Sequence, residues 1–136
     1  MMDFLALLAT AALFGGMLLY SFGFAPLVFR SFPPEEAGRF IRLAFPWYYL
    51  FVIGGSALAG LLLAARDVAA ASVMTLAALI GLFAHQFLMP AISGAREGRA
   101  AGDPAATKRF RRLHGVSVLL NFTQLGLTAW VLHRFV

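Results

Sequence analysis

Four long apolar runs occupy most of this chain, and short charged segments separate them. Each run has at least 21 residues without Asp, Glu, Lys or Arg, and the runs lie at 4–29, 43–65, 68–95 and 113–133. Because an α-helix rises about 1.5 Å per residue, about 20 apolar residues cross the roughly 30 Å core of a bilayer. The pattern predicts one integral membrane domain over residues 1–136, with spans at about 4–29, 45–65, 68–92 and 106–134.

The segment between the first two runs has a helical pattern of its own. Residues 33–36, Pro-Pro-Glu-Glu, are typical of a helix start, with proline in the first turn and acids near the positive end of the helix dipole. Apolar residues then recur at helical spacing, at Ala37, Phe40, Ile41 and Ala44. The predicted fold is therefore all-α: a four-helix antiparallel transmembrane bundle with a short cytoplasmic interfacial helix between spans 1 and 2.

Two prolines and an aspartate set the remaining helix limits. Pro90 predicts the end of the third span, which leaves residues 93–105 as the third loop. Asp103 followed by Pro104 is typical of an N-cap residue with proline at the first helical position. The last helix is therefore expected to begin at Pro104, before its apolar run.

Composition agrees with the membrane assignment and excludes several classes of protein. Hydrophobic residues make up 61 % of the chain and charged residues 12 %, whereas soluble domains have roughly 45–50 % and about 25 %. A soluble domain, a disordered tail and a fibrous repeat are thereby excluded. The chain has no cysteine, which rules out disulfides, thiolate metal sites and cysteine-ligated iron–sulfur clusters.

The distribution of basic residues predicts an orientation in the bacterial inner membrane. Loops 1 and 3 carry nine of the 11 basic residues, and the second loop and C-terminus carry Arg66 and Arg134. Because cytoplasmic loops are enriched in Lys and Arg, loops 1 and 3 are expected in the cytoplasm and both termini outside. The first charge is Asp3, so the first run lacks the basic start of a signal peptide and is expected to be retained.

The basic residues of loops 1 and 3 are expected to contact anionic lipid headgroups. Those assigned to this role are Arg39, Arg42, Lys108, Arg109, Arg111 and Arg112. A docking site for an acidic partner is the alternative use of the same charge. Nucleic acid is not an expected partner, because the membrane topology already accounts for the net charge of +5.

The last span carries a regular series of polar residues. Their spacing of 3, 4, 3 and 4 places them on one helical face, at His114, Ser117, Asn121, Gln124 and Thr128. Polar side chains in a membrane span face protein or a water-filled cavity. This polar face is expected to point into the bundle, either for hydrogen bonds between helices or to line a ligand or ion pathway.

Two histidines and a methionine leave cofactor chemistry open. His85 and Met89 lie near the end of span 3, and His114 lies at the start of span 4. Since consecutive helices are usually neighbours, His85 and His114 could ligate haem, with Asn121 also near the cofactor. His85, Met89 and His114 offer donors for copper. A histidine hydrogen-bonded inside the bundle accounts equally well for each residue.

Catalytic residues are harder to assign. The six carboxylates all lie at helix ends or in loops, and coupled transporters commonly use an acid inside the membrane. No catalytic triad, phosphate loop or metalloprotease motif is present. We therefore expect no catalytic residues and no dedicated metal site, and an enzymatic activity is not predicted.

Several segments together resemble a known family. In order they are ALFGGM at 12–17, FAPLVF at 24–29, EAGRF at 36–40, FPWYY at 45–49 and FRRLH at 110–114. The chain is similar to the bacterial domain of unknown function 4149 family and to transmembrane protein 205. That resemblance implies a four-helix inner-membrane protein without an established activity.

A more distant similarity concerns chemistry. The segment from Phe14 to Pro26 is similar to HemJ-type protoporphyrinogen oxidase and to the copper-resistance D membrane domain. The oxidase family has a histidine early in span 1, whereas residues 5–10 here, LALLAT, contain none. A haem or porphyrin cofactor would therefore have to use His85 and His114.

The leading functional interpretation is a small polytopic inner-membrane protein that binds a molecule or a partner through the polar face of span 4. Such a protein is expected to form a homo-oligomer or to serve as a subunit of a larger membrane complex. A haem- or porphyrin-binding redox protein is the first alternative, and a copper-handling membrane protein is the second.

Overall fold

The computed structural model describes all 136 residues and contains four long helices and no strand. They are α1 (Met2–Ser31), α2 (Pro34–Leu63), α3 (Val68–Ala100) and α4 (Pro104–His133), and each is long and apolar enough to span a membrane. Each helix packs against the next, and α4 packs against α1, so the four form a closed antiparallel ring. The all-α, four-helix transmembrane fold expected from the sequence is confirmed.

Aspartate side chains cap two of the helices. The Asp103 Oδ1 atom accepts a hydrogen bond from the Ala105 N–H at 3.0 Å, which confirms the predicted start of α4. The Asp67 Oδ1 atom accepts one from the Ala70 N–H, also at 3.0 Å, and starts α3. Each bond satisfies an amide in the first turn, where the helix itself offers no acceptor.

The predicted interfacial helix is not a separate element. Its residues form the first turns of α2, which runs without interruption through Pro46. Proline removes one backbone hydrogen bond and crowds the carbonyl four residues earlier, here that of Arg42. Helices of membrane proteins tolerate this because neighbouring groups satisfy the freed carbonyl, so the proline does not divide the segment into two helices.

The helix of the predicted third span does not end at Pro90, for a similar reason. Helix α3 continues past this proline to Ala100, so the third loop shrinks from 93–105 to residues 101–103. Gly102 in this loop has a φ of +84°, a conformation that glycine adopts without strain. The reversal between α3 and α4 therefore needs only three residues.

Two helices contain a π-helical segment that the sequence analysis missed. The segments are Leu19–Phe24 in α1 and Ala84–Leu88 in α3. In both, the residue before a proline donates its amide to the carbonyl five residues back: Ala25 to Tyr20 and Met89 to Ala84. A wider turn accommodates a proline that lacks an amide proton, so Pro26 and Pro90 were the available sequence signals.

The two ends of the bundle differ in packing. We call the end that carries both termini and residues 64–67 the terminal end, and the opposite one the arginine-rich end. The main hydrophobic core lies mostly toward the terminal end and includes the fully buried Leu13, Met74 and Val131. All four helices contribute to this core, so the bundle is closed there.

At the arginine-rich end the helices separate into two pairs. The last turns of α1 pack on α2 around a small cluster of Val28, Ala37 and Ile41. The last turns of α3 pack on α4, and a hypothetical Cβ on Gly98 would lie only 2.6 Å from the Ala106 Cβ. Tyr49 of α2 packs with Leu88 of α3, but beyond this contact the backbones of the end segments do not approach the opposite pair, so the space between the pairs stays open.

Candidate functional site

A cavity of about 730 Å³ fills the space between the two helix pairs. It extends from the polar face of α4, at the depth of Gln124, to arginines near the ends of α2 and α3. Pockets that hold drug-sized ligands have volumes of about 300–1,000 Å³. Both π-helical segments border the cavity, through Tyr20 and Ala84, as such segments often border functional sites.

Hydrogen-bonded side chains from three helices form the floor of the cavity. The Tyr48 hydroxyl of α2 donates to the Asn121 Oδ1 atom of α4, and the Asn121 Nδ2 atom donates to the Ser21 hydroxyl of α1 at 2.9 Å. The Tyr49 and Ser117 hydroxyl oxygens are 3.4 Å apart. Helices α2 and α4 lie diagonally across the bundle, so these tyrosines bridge two helices whose backbones do not pack together.

The polar face of α4 divides into three parts. Ser117, Asn121 and Gln124 line the cavity, and the Gln124 Nε2 atom donates to the Ala77 carbonyl at 2.9 Å. Thr128 is fully buried below the cavity and donates to the Gln124 carbonyl of its own helix. His114 lines the cavity but is exposed, with its ring stacked on Phe110.

Tyr20 contributes an unusual polar atom to the site. Its ring stacks on Tyr48 with centroids 4.0 Å apart, and its hydroxyl is buried without a hydrogen-bond partner in the protein. Ser56, which does not line the cavity, has the same kind of buried and unpaired hydroxyl. No sequence signal singles out Tyr20, because one tyrosine in an apolar run has no distinguishing pattern.

Three arginines line the outer part of the cavity. Arg42 comes from α2, and Arg96 and Arg99 come from α3. The last two guanidinium groups lie over the Phe110 ring, 5.4 and 5.0 Å from its centroid. We refer to these three residues as the arginine cluster. The protein's two ion pairs are both at the terminal end, so no carboxylate is within ion-pairing distance of this cluster.

The remaining residues assigned to lipid headgroups lie outside the cavity. All six are exposed, and of these only Arg42 lines the cavity; the others are Arg39, Lys108, Arg109, Arg111 and Arg112. Arg96 and Arg99 were not assigned to a site from the sequence, because the third loop was predicted to begin at residue 93. The continuation of α3 to Ala100 carries both side chains toward the cavity.

The predicted haem and copper ligands do not share one cavity. His114 lines the large cavity, whereas His85 packs its ring edge-on against Tyr49, with centroids 6.3 Å apart, and is not a lining residue. Met89 borders a smaller adjoining pocket of about 80 Å³. Axial ligation of haem requires both histidines to point at one central site; these residues line different spaces, and the haem and copper assignments stay predictions.

These features define a class of protein: a small four-helix membrane protein with an internal cavity that has a polar floor and a cationic mouth. The chain matches the family described as Domain of unknown function (DUF4149) over residues 8–101. The match covers α1, α2 and α3, more than half of the chain, and the protein belongs to this family. The family described by the sequence resemblance is thereby confirmed.

No curated protein and no solved structure matches the chain. The similarities to transmembrane protein 205, to HemJ-type oxidase and to the copper-resistance D domain therefore stay predictions. Assembly with a second copy or within a larger complex also stays a prediction.

Proposed function

We propose that this protein binds a small amphiphilic molecule in the cavity between its two helix pairs. The observation that carries the proposal is an open volume of about 730 Å³ whose floor is formed by polar residues of α4 and the Tyr48 side chain. Hydrogen bonds between helices account for Asn121 and Ser117, but they do not account for the open volume beside them. A bound molecule accounts for it.

The cavity walls indicate what kind of molecule fits. Phe22 of α1 and Phe122 of α4 line the cavity and are 59 % and 49 % exposed, so each also faces the exterior of the bundle. Their ring centroids are 5.9 Å apart. Aromatic side chains, rather than packed helices, separate the cavity from the surrounding lipid on this side, which suits an occupant with an apolar part.

Native mass spectrometry of the detergent-purified protein, exposed to a polar lipid extract, tests this proposal. We expect a discrete adduct on the wild-type protein and a roughly tenfold smaller adduct on Asn121→Leu, which removes the polar centre of the floor. Thr128→Val is the matched control, because Thr128 lies on the same helical face but outside the cavity. Equal adducts on all three proteins, or none on any, would contradict binding in the cavity.

We also propose that the arginine-rich end faces the cytoplasm of a bacterial inner membrane. The nine basic residues at that end support this orientation, because Lys and Arg are enriched on the cytoplasmic side. The chain has no cysteine, so Ser31→Cys and Ala65→Cys provide single labelling sites at opposite ends. In intact spheroplasts, a membrane-impermeant maleimide should label Ala65→Cys and not Ser31→Cys. The reverse pattern would show that the arginine-rich end faces outward and would contradict the proposed orientation.

A further inference from the structure

We infer that the arginine cluster, Arg42, Arg96 and Arg99, binds a phosphate group on the molecule that occupies the cavity. This inference rests on the proposed function and names the chemistry of its ligand. Arginine presents a planar fork of donors that matches a phosphate in two parallel hydrogen bonds. The cluster is placed at the mouth of the cavity, where a headgroup would enter from the membrane surface.

The fold links the three arginines in two overlapping pairs. Arg42 and Arg96 also border the same small adjoining pocket, so α2 and α3 bring them to one place. The Phe110 ring of α4 supports Arg96 and Arg99 by cation–π contact. Gly98 lies between these two arginines and allows α3 to approach Ala106 of α4 closely, which fixes the helix turn that presents them.

The charge balance at the mouth favours an anion. Glu35 is the one carboxylate that lines the cavity, and neither it nor the exposed Glu97 forms an ion pair. His114 is the remaining titratable side chain of the lining besides the tyrosines. Arg96 is half-buried, and Arg42 and Arg99 are exposed. A bound group with negative charge would reduce the repulsion among these three positive charges.

The shape of the cavity places the rest of the ligand. From the arginine cluster the cavity passes the hydroxyl and amide groups of Tyr48 and Asn121, and it is also lined by the rings of Phe22 and Phe122, which separate it from the exterior. A phosphate in the cluster, polar headgroup atoms against the floor and an apolar chain beside the two phenylalanines would satisfy each part of this lining. The same phosphate chemistry is present in a soluble phosphomonoester, which lacks the chain.

Binding of defined probes to the full-length protein in detergent separates these ligands. By native mass spectrometry, we expect dioleoyl phosphatidic acid to bind at least about tenfold more tightly than dioleoylglycerol, which has the same chains without phosphate. Glycerol phosphate is the soluble probe. If it binds as tightly as the lipid, phosphate alone is recognised; if it does not bind, the phosphate must be carried on a lipid.

Matched variants identify the arginines responsible. The triple variant Arg42→Gln, Arg96→Gln, Arg99→Gln should lose at least about tenfold in affinity for phosphatidic acid. The triple variant Arg109→Gln, Arg111→Gln, Arg112→Gln removes the same charge at the same end and should change it by less than about threefold. Arg96→Lys keeps the charge and the fold. It should lose affinity for phosphatidic acid, because lysine cannot form the two parallel hydrogen bonds that arginine makes to a phosphate.

Two results would overturn the inference. One is equal loss of affinity in both triple variants, because diffuse charge rather than the cluster would then attract the lipid. The other is equal binding of phosphatidic acid and dioleoylglycerol. In that case the Asn121→Leu comparison still reports on the cavity: a reduced adduct in this variant would preserve the proposed function while removing the phosphate site.

Discussion

The two ends of the bundle differ in how their charges are paired and in how closely the four helices pack. At the terminal end, Arg66 is paired with Asp3 and Arg134 with Asp67, and a continuous core lies beneath them. At the arginine-rich end, nine basic residues face four acidic ones without an ion pair, and a cavity separates the helix pairs. At the closed end the charges are therefore paired, whereas at the open end unpaired charges surround the cavity.

This difference teaches where stability and function are located in a small membrane bundle. Lipid supplies no hydrophobic drive for helices to associate, so close packing and interhelical hydrogen bonds must hold the bundle together. The terminal half provides the packing. In the other half, tyrosines, Asn121 and Ser117 surround a cavity, and hydrogen bonds between side chains rather than close packing join the helices.

The largest expected effect comes from removing side-chain volume in the closed half. Leu13 is 1 % exposed within the main core, and Leu13→Ala should lower the free energy of unfolding by about 2–5 kcal/mol, because the packed surroundings cannot fill the void. Phe122→Ala, at the half-exposed cavity wall, should cost less than half as much. Reversible unfolding in mixed micelles measures both, and equal losses would show that the two halves are packed alike.

The next effect comes from adding volume where helices approach closely. A Cβ on Gly81 would lie 2.9 Å from the Ile53 Cγ1 atom and 3.3 Å from the Gln124 Nε2 atom. Gly81→Leu should therefore destabilise the protein by about 1–3 kcal/mol. Gly15→Leu is the control, since no atom lies within 4 Å of its added Cβ. If both variants unfold at the same denaturant concentration, that result would contradict a close approach of the helices at Gly81.

A smaller effect distinguishes the two stacked tyrosines of the cavity. Tyr48→Phe removes a hydrogen bond to Asn121. It should lower the free energy of unfolding by about 0.6 kcal/mol, the average for hydrogen bonds between helices in membranes. Tyr20→Phe removes a hydroxyl with no protein partner, so the free energy of unfolding should not fall in ligand-free protein. An equal fall in the free energy of unfolding in both variants would contradict the hydrogen bond between Tyr48 and Asn121.

The smallest effect concerns the ion pair between Asp67 and Arg134. The Arg134 guanidinium lowers the pKa of the Asp67 carboxyl, and hydrogen bonding from the Ala70 amide lowers it further. The folded-state pKa of Asp67 therefore lies below its unfolded value of about 3.9. The ionised Asp67 stabilises the folded protein above about pH 3.9, and this stabilisation disappears as the pH falls through the folded-state pKa. Thermal midpoints measured from pH 6 downward should show this loss in the wild type.

Asp67→Asn provides the control for that titration. Asparagine also caps a helix, so the variant should keep α3 and lose this contribution to the pH dependence. An unchanged acid profile in Asp67→Asn would show that the Arg134 contact does not stabilise the terminal end.

Much of the fold follows from local sequence pattern. Four charge-free runs predict four spans because each helix must bury about 20 residues in the bilayer, and residue types at Pro34 and Asp103 predict helix starts that the structure confirms. The polar face of α4 is likewise visible in the sequence, since its members repeat at helical spacing. Each of these features is determined within a single helix and by the medium around it, so the sequence of that helix is enough to predict it.

The interpretation of Pro90 as a helix end depended on a local signal alone. Pro46 and Pro90 lie inside continuous helices, because packed neighbours and π-helical turns accommodate what an isolated helix would not. The missed continuation of α3 had a functional consequence, since it hid Arg96 and Arg99 from the candidate site.

The sequence by itself determined that this protein is an all-helical membrane protein with an asymmetric distribution of charge and one polar helical face. Only the tertiary structure decided that the helices separate into pairs at one end, that Tyr20 and Tyr48 meet the polar face there, and that His85 and His114 do not share a cavity. The physical reason is that spacing along one helix fixes which residues share a face, whereas the distance between two faces depends on how side chains from different helices pack together.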